Sequence, residues 1–309
     1  MLVTVWITTY NHEKYIAKAI ESVLEQKTEF EVEIVIGEDC STDNTRNIVL
    51  EYSKRFPGKF SLFLPERNLG MIPMFIASHS LCKGEYIAWL DGDDYWTDPL
   101  KLQKQVNFLN ANPGYVMCFH NVVILDQIQN NEQIKVIPPG LETGSPVAIE
   151  VFCSHNPVSA SSVVCRNVLK EDLPIWFSDL PYPDLAYYFL LMETGKVKFI
   201  EEVMGVYRVH SEGAWSGESQ YSKFQLLIEF YEKLNKQFNG KFKKHIKKYS
   251  TWMYYELMQA SFALNDYQTA ARCIRYILSN DLKFAMQYKR NISNAIMKIV
   301  FRTPIRAVT

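Results

Sequence analysis

The first hundred residues alternate short apolar runs with amphipathic stretches, and that alternation leaves few architectures open to the chain. Leu2 to Thr8 is a β-branched, largely apolar run that stops at Thr9-Tyr10-Asn11. Ile16, Ala19, Ile20, Val23 and Leu24 then fall at the spacing of one buried helical face. Glu33-Ile34-Val35-Ile36 predicts a second strand, ended by Gly37. Ser41-Thr42-Asp43-Asn44, rich in helix-capping side chains, precedes Ile48, Val49, Tyr52 and Phe56 on one helical side. Phe60 to Leu64 predicts a third strand, Met71 to Leu81 a helix, and Tyr86 to Leu90 a fourth strand. Asp98-Pro99 is expected to open a further helix, with Asp as cap and Pro in the first turn. Strands and helices in strict alternation over short connections imply an α/β fold, a mostly parallel sheet with flanking helices.

In such sheets ligands bind beyond the carboxyl ends of the strands. Thr9-Tyr10-Asn11, Glu38-Asp39 and Asp91-Gly92-Asp93 each follow a strand, so all three are expected on one rim. From Pro113 to about Ser216 the pattern loosens into short strands and turns, punctuated by Pro138-Pro139-Gly140 and Pro181-Tyr182-Pro183. From about Gln220 it turns helical. Trp252, Tyr255, Met258 and Phe262 share one face, and Asn265-Asp266-Tyr267 breaks to a second helix carrying Ala270, Ala271, Ile274 and Ile277. The expected division is 1–219 for the sheet domain and 220–309 for a basic helical C-terminal region.

Charge follows the same division. From Tyr221 onward there are 16 Lys and Arg against 5 Asp and Glu, leaving 17 against 29 before it. An acidic first part suits a metal site and argues against nucleic acid as partner, which needs a basic face. The six cysteines form no C-x-x-C pair or zinc pattern, so free thiols in a reducing, cytoplasmic compartment are expected. Leu2 to Ile7 lacks a basic leader and is too short for a signal peptide. No run of about 18 apolar residues is present to span a bilayer. Lys241, Lys243, Lys244, Lys247 and Lys248 cluster, and Lys289, Arg290, Lys298, Arg302 and Arg306 flank Ile292, Ala295, Ile296, Ile299 and Val300. The plainer expectation is a helical annex with solvated lysines; the other is peripheral contact with an anionic inner-membrane face.

Asp91-Gly92-Asp93-Asp94 puts three carboxylates into four residues at a strand end. Such a group resists ionising together and makes most sense around a hard cation, Mn²⁺ or Mg²⁺, whose shell phosphate oxygens complete. Gly92 is expected to let the backbone bend there.

Several stretches are recognisable: Val3 to Asn11, Gly37-Glu38-Asp39-Cys40-Ser41-Thr42-Asp43, Asn68-Leu69-Gly70, Gly84-Glu85-Tyr86-Ile87-Ala88-Trp89-Leu90-Asp91-Gly92-Asp93-Asp94 and Tyr95-Trp96-Thr97-Asp98-Pro99-Leu100-Lys101-Leu102. In this order, over about residues 3–216, they resemble the family 2 glycosyltransferases of GT-A (Rossmann-like) fold, bacterial surface-polysaccharide type. The resemblance implies metal-dependent, inverting transfer of a sugar from a nucleoside-diphosphate-sugar, a UDP-sugar first, to a hydroxyl of a glycan or lipid-linked acceptor. It assigns Thr9, Tyr10, Asn11, Glu38, Asp39, Asn68 and Asp91 to the donor, with Glu38 standing where the family more often has Asp. It assigns Asp93, Asp91 and His210 to Mn²⁺ or Mg²⁺. Asp184 is expected as the catalytic base, with Asp179 as runner-up because Pro183 stands before the acid where the family usually has Gly or Glu. Arg208 is expected to meet phosphate or form a surface ion pair, and Trp215 to floor the acceptor site or pack; His79 and His120 receive no role. A nucleotidyltransferase would need a Gly-rich, basic loop after the first strand, which Thr9-Tyr10-Asn11-His12 is not. A sugar-nucleotide-binding protein without catalysis predicts a damaged acidic loop or a missing base, and this chain has Asp93 and Asp184.

Overall fold

The computed structural model describes residues 1–134, 141, 144–154, 156–169 and 173–302. Pro138-Pro139-Gly140, expected as a turn, lies outside the described residues. Two compact units divide the chain, Met1–Gly213 and Ala214–Thr309.

In the first unit the chain runs β1 (Leu2–Thr9), α1 (Ile16–Leu24), β2 (Glu31–Glu38), α2 (Thr45–Arg55), β3 (Phe60–Phe63), α3 (Met71–His79) and β4 (Tyr86–Asp91). Next come β5 (Tyr95–Trp96), α4 (Lys101–Ala111), β6 (Tyr115–Asp126), β7 (Asn131–Ile134), α5 (Ile149–Phe152), a 3₁₀ turn (Ala160–Ser162) and β8 (Val164–Arg166). A second 3₁₀ turn (Ile175–Asp179), α6 (Pro183–Met192) and β9 (Lys196–Val209) close the unit. One sheet holds the strands in the order β3-β2-β1-β4-β8-β6-β9-β5, with β7 beside β6. Pairing is parallel through β3-β2-β1-β4 and mixed beyond it, since β8 runs antiparallel to both its neighbours while β6 and β9 are parallel.

The strand pattern has a simple cause. Val3, Val5, Trp6 and Ile7 of β1 are all fully buried because β1 lies inside the sheet with helices on both faces, so its side chains meet protein in either direction. On one face Ile16, Ala19, Ile20 and Val23 of α1 share a core with Val49 of α2 and Leu102, Val106 and Leu109 of α4. On the other, Trp6 stacks on Trp89 at 5.0 Å and meets Phe75 of α3 edge-on at 4.4 Å. Tyr187 of α6 packs on the same cluster and takes His79 Nε2 at 3.0 Å, so His79 is a core residue. Such aromatic groups bury large areas, and Trp6→Ala would cost about 3–5 kcal/mol.

Register places the functional rim. Thr8 pairs with Asp91 and Thr9 with Glu38, so β1, β2 and β4 end level. The ladder continues past the strands: Gly92 N donates to Thr8 O at 2.9 Å and Asp39 N to Thr9 O at 3.1 Å. At the far side of the acidic loop, Tyr95 pairs with Val206 and Trp96 with Gly205, which brings the end of β9 against residues 93–94. Long strands β6 and β9 occupy the region expected to hold only short ones. Register shifts between Tyr115 and Met117 and around Asn121 break their two-residue periodicity.

The second unit is helical: α7 (Gln220–Gln237), α8 (Lys243–Ala263), α9 (Tyr267–Asn280), α10 (Leu282–Gln287) and α11 (Lys289–Arg302). Side chains of Ser219, Asp266 and Asp281 cap α7, α9 and α10 by accepting Ser222, Thr269 and Phe284 N–H groups. On α8 the buried side contains Met253, Leu257 and Met258, while Trp252 is 42% exposed, so the predicted face is rotated at its start. Among the described residues no helix is long and apolar enough to cross a membrane.

Candidate active site and metal centre

The acidic loop meets two histidines. Asp93 Oδ2 lies 3.0 Å from His210 Nε2 and 3.8 Å from His12 Nε2. One ligand atom from each of His12, Asp93 and His210 falls within 4.8 Å of the others, the one such group among the described residues. Two imidazoles and a carboxylate around a single point fit a divalent ion. His12 Nδ1 sits 3.2 Å from Thr9 Oγ1, which fixes the ring and leaves Nε2 facing Asp93. Burial holds His12 below the usual imidazole range, against the pull of Asp93, so the ring is neutral and offers a lone pair near pH 7.

Asp91 stands outside that triad, in contrast to its expected role as a ligand: its Oδ1 accepts Thr8 Oγ1 at 3.3 Å. Burial, then Asp93 and Asp184, push its carboxyl upward. Asp94 is wholly buried; burial and the same loop neighbours raise it strongly, while Arg208 N donates to its Oδ1 at 2.8 Å. Asp93 alone is lowered: burial opposes its charge, but His210 and His12 outweigh that. Arg208 is not in a surface ion pair among the described residues. Its guanidinium donates to Asp93 O and lies between the rings of Tyr15 and Tyr95, 5.0 and 4.6 Å from their centroids.

Gly92 serves close approach rather than bending, since it is not among the positive-φ residues. A Cβ there would lie 2.5 Å from Thr9 Oγ1, 2.7 Å from Thr9 Cβ and 2.9 Å from His12 Nδ1. The sequence points to Asp93 and His210 but not to His12; the signal for it is a histidine three residues past a strand end, facing a glycine in the acidic loop.

The other rim residues divide into those facing outward and those tying loops together. Tyr10 is 41% exposed. Asn11, at φ +55°, accepts Thr42 N through Oδ1 at 2.8 Å, while its own N donates to Ser41 Oγ at 2.9 Å. Asp43 accepts Glu13 N and Thr45 N, so the Ser41–Asn44 cluster joins two rim loops, and Asn44 makes no side-chain cap to α2. Both Asp39 oxygens accept N–H groups of Leu69 and Gly70, at 2.8 and 2.9 Å, and Asn68 Nδ2 donates to Asp39 O at 3.1 Å. Gly70 takes φ +85° in that turn, a conformation glycine adopts without strain. Glu38 departs from its expected donor contact: it is fully buried, bonded to Arg46 Nε and to Ser41 N at 2.6 Å. Its carboxylate supports the rim from behind.

Asp184 sits in the first turn of α6, after Pro183 at the start of the helix. Burial raises its carboxyl, opposed by the Leu185 N–H and by Asn156, whose Nδ2 donates to Oδ2 at 2.7 Å. Asp91, Tyr188 and Tyr207 all lie within electrostatic reach of it. Asp179, the runner-up, is exposed. His120 is buried with Nδ1 2.7 Å from Asn121 O.

The family model described as glycosyl transferase family 2 matches residues 4–154, which hold β1 to β4, the rim loops and the acidic loop. Over that stretch the chain is similar to the family 2 glycosyltransferases. An uncharacterized protein of Mycobacterium tuberculosis is 35% identical to this chain over 211 residues, 67% of the chain. The chain spans 58% of that relative's length. An uncharacterized glycosyltransferase of Nostoc sp. is 29% identical over 244 residues, covering 74% of this chain and 73% of its own. Among solved structures, the mannosyltransferase PcManGT from Pyrobaculum calidifontis, in complex with GDP-Man and Mn²⁺, superposes with TM-score 0.61 at 19% identity, over 98% of this chain and 88% of that one. S. aureus TarS 1-349, in complex with UDP-GlcNAc, gives 0.56 at 15% identity over 96% and 92%. The fold is GT-A, with extra C-terminal helices.

Proposed function

We propose that the chain transfers a sugar from a nucleoside-diphosphate-sugar to an acceptor hydroxyl, with inversion at the anomeric carbon. The observation that carries this reading is the rim: Asp93 between His12 and His210, in one acidic cluster with Asp91 and Asp184. An ion held by His12, Asp93 and His210 would offset charge on the departing diphosphate. Two imidazole nitrogens favour Mn²⁺ over Mg²⁺, which prefers a shell of oxygens. Asp184 takes the acceptor's hydroxyl proton as that oxygen bonds the anomeric carbon; the carbon–oxygen bond to the diphosphate breaks and its electron pair leaves with the diphosphate. A carboxyl lifted by burial suits a base near neutral pH.

Tyr10, Asp39 and Asp91 are assigned to the nucleotide and its ribose, with Thr9, Asn11 and Asn68 shaping the pocket and Glu38 bracing it. Similarity to enzymes solved with UDP-GlcNAc and GDP-Man supports a nucleotide-sugar donor, and a UDP-sugar is the first to test. The acceptor is assigned to the glycans or lipid-linked glycans of bacterial surface polysaccharide synthesis. All six cysteines are free thiols, which suits a cytoplasmic enzyme. In the helical unit, Leu282, Met286, Met297 and Val300 are 64, 66, 52 and 59% exposed, and Lys283, Lys289, Arg290 and Lys298 are exposed around them. That mixture suits peripheral contact with an anionic inner-membrane face near a lipid-linked acceptor.

The deciding experiment offers the purified chain a panel of UDP-, GDP- and dTDP-sugars with simple sugar acceptors, with Mn²⁺, Mg²⁺ or neither. The expected result is metal-dependent release of nucleoside diphosphate, faster with Mn²⁺, and a product of opposite anomeric configuration by NMR. Donor binding without release under every condition would make the chain a binding protein.

A further inference from the structure

Asn156 stands at the start of a segment that the fold grips unusually firmly. Trp96 Nε1 donates to Ser161 O at 2.7 Å, Gln105 Nε2 to Ser162 O at 3.0 Å, and Lys101 Nζ reaches Val163 O at 3.5 Å. Three consecutive carbonyls are thus held by side chains from β5 and α4, and Trp89 N of β4 also donates to Val163 O at 3.1 Å. Lys101 is wholly buried, lies 3.9 Å from the centre of the Trp96 ring, and has no carboxylate partner among the described residues. Burying an amine without a counter-charge is costly, so this clamp is maintained at the expense of stability.

The Asn156 amide is itself oriented at both ends. Its Oδ1 accepts Val158 N at 3.1 Å while its Nδ2 donates to Asp184 Oδ2 at 2.7 Å. Flipping the amide would turn its oxygen toward a carboxylate and its NH₂ toward an N–H, losing both bonds. We propose that Asn156 is a positioning residue for the reaction: it fixes one oxygen of Asp184 so that the other is presented to the acceptor hydroxyl. This rests on Asp184 being the base. The groups facing Asp184 are Asp91 at the end of β4, Tyr188 on its own helix and Tyr207 on β9. Asn156 is the neutral side-chain donor to Asp184 in this otherwise acidic and phenolic setting, beside the Leu185 N–H of its own helix.

The test compares Asn156→Ala, Asn156→Ser and Asn156→Asp with Asp184→Asn, using the donor identified by the panel. For Asn156→Ala, kcat is expected to fall about 10- to 100-fold, as for other outer partners of a reactive group, with donor KM and Mn²⁺ affinity held. Asn156 stabilises the ionised carboxyl, so its loss moves the acid limb of the kcat–pH profile upward. Asn156→Asp, adding a like charge, moves it further, and Asn156→Ser, keeping a shorter donor, recovers part of the rate. A kcat within twofold of wild type, or a lower kcat that tracks lost thermal stability with an unmoved acid limb, overturns the proposal. Retained turnover in Asp184→Asn overturns the base assignment, and the role of Asn156 with it; loss in Asp184→Asn beside an unaffected Asn156→Ala sinks only the latter.

Discussion

Gly92→Ala is a small change with a consequence that can be worked out in advance. The new methyl carbon would lie 2.5 Å from Thr9 Oγ1 and 2.7 Å from Thr9 Cβ, both on a fully paired strand, and 2.9 Å from His12 Nδ1. Ordinary carbon contacts need about 3.5 Å, so something must move by roughly 1 Å. The β1 backbone is locked between β2 and β4, which leaves the acidic loop and the His12 ring to give way. Overpacking of this kind costs about 1–3 kcal/mol, a drop of about 2–12 °C in melting temperature for a unit of this size. Ligand geometry tolerates only about 0.5 Å, so Mn²⁺ affinity is expected to fall about 10- to 100-fold, or about 1.4–2.7 kcal/mol. Titration calorimetry with Mn²⁺ and a thermal melt measure the two effects. The double variant Thr9→Gly/Gly92→Ala removes the two closest contacts and should recover part of the stability. Wild-type Mn²⁺ affinity and melting temperature in Gly92→Ala would refute the reasoning, because the contact would then relax without moving a ligand.

His12→Ala should weaken Mn²⁺ by at least about tenfold while leaving the fold intact, and equal affinity by calorimetry would remove His12 from the ligand set. Lys101 is held well below its usual range by burial, whereas the unfolded amine titrates near about 10.4. Between those values the unfolded chain binds more protons, so this group's contribution makes stability rise with pH and level off above the unfolded value. Lys101→Met should therefore raise the melting temperature at pH 7 and flatten its rise toward pH 10; parallel curves for the two proteins would contradict this. For the helical unit, neutralising Lys289, Arg290 and Lys298 removes about 1 kcal/mol each of attraction to an anionic surface. Flotation with phosphatidylglycerol-containing vesicles should then fall on the order of a hundredfold, and recovery of the wild-type chain only in the protein fraction would exclude membrane contact.

The first half of the sheet is legible from residue spacing because each element there has one unambiguous period. The run of Val3 to Ile7 is buried on both sides, and Ile16 to Val23 keep one helical face, so the elements were predicted within a few residues. The second half hides its long strands. Asn121 sits where β6 and β9 slip register, and the last four residues of β6 are only half-buried, so neither a continuous apolar run nor a clean alternation survives. In the site, the sequence points to Asp93 and His210, which the fold brings together, but not to His12 beside them. The partners of Glu38 and of the Ser41–Asn44 cluster were not legible, because Arg46, Asn11 and Glu13 reach them only after the loops close. Capping residues and rim-tying residues are the same residue types, and sequence alone does not separate them.

The three members of the metal cluster come from positions 12, 93 and 210, yet none depends on a long flexible loop for its place. Thr8 opposite Asp91 fixes the acidic loop relative to the loop after β1, within one residue of both Gly92 and Thr9. Tyr95 opposite Val206 fixes it relative to the end of β9, and Arg208 then locks the join through Asp93 O and Asp94 Oδ1. Backbone pairing supplies the accuracy that ligand geometry demands, and side chains such as Thr9 need only choose ring orientation. Asp184 arrives differently, on the first turn of a helix held across the rim by one amide from a separate segment. In the proposed reaction a rigid metal cradle and a base adjusted by Asn156 would divide the work: the first would fix where the diphosphate leaves, and the second would set which acceptor oxygen is aligned to attack. Differences in acceptor among relatives sharing this sheet should then concentrate around residues 156–163 and the start of α6, with the loops after β1 and β4 kept for the nucleotide.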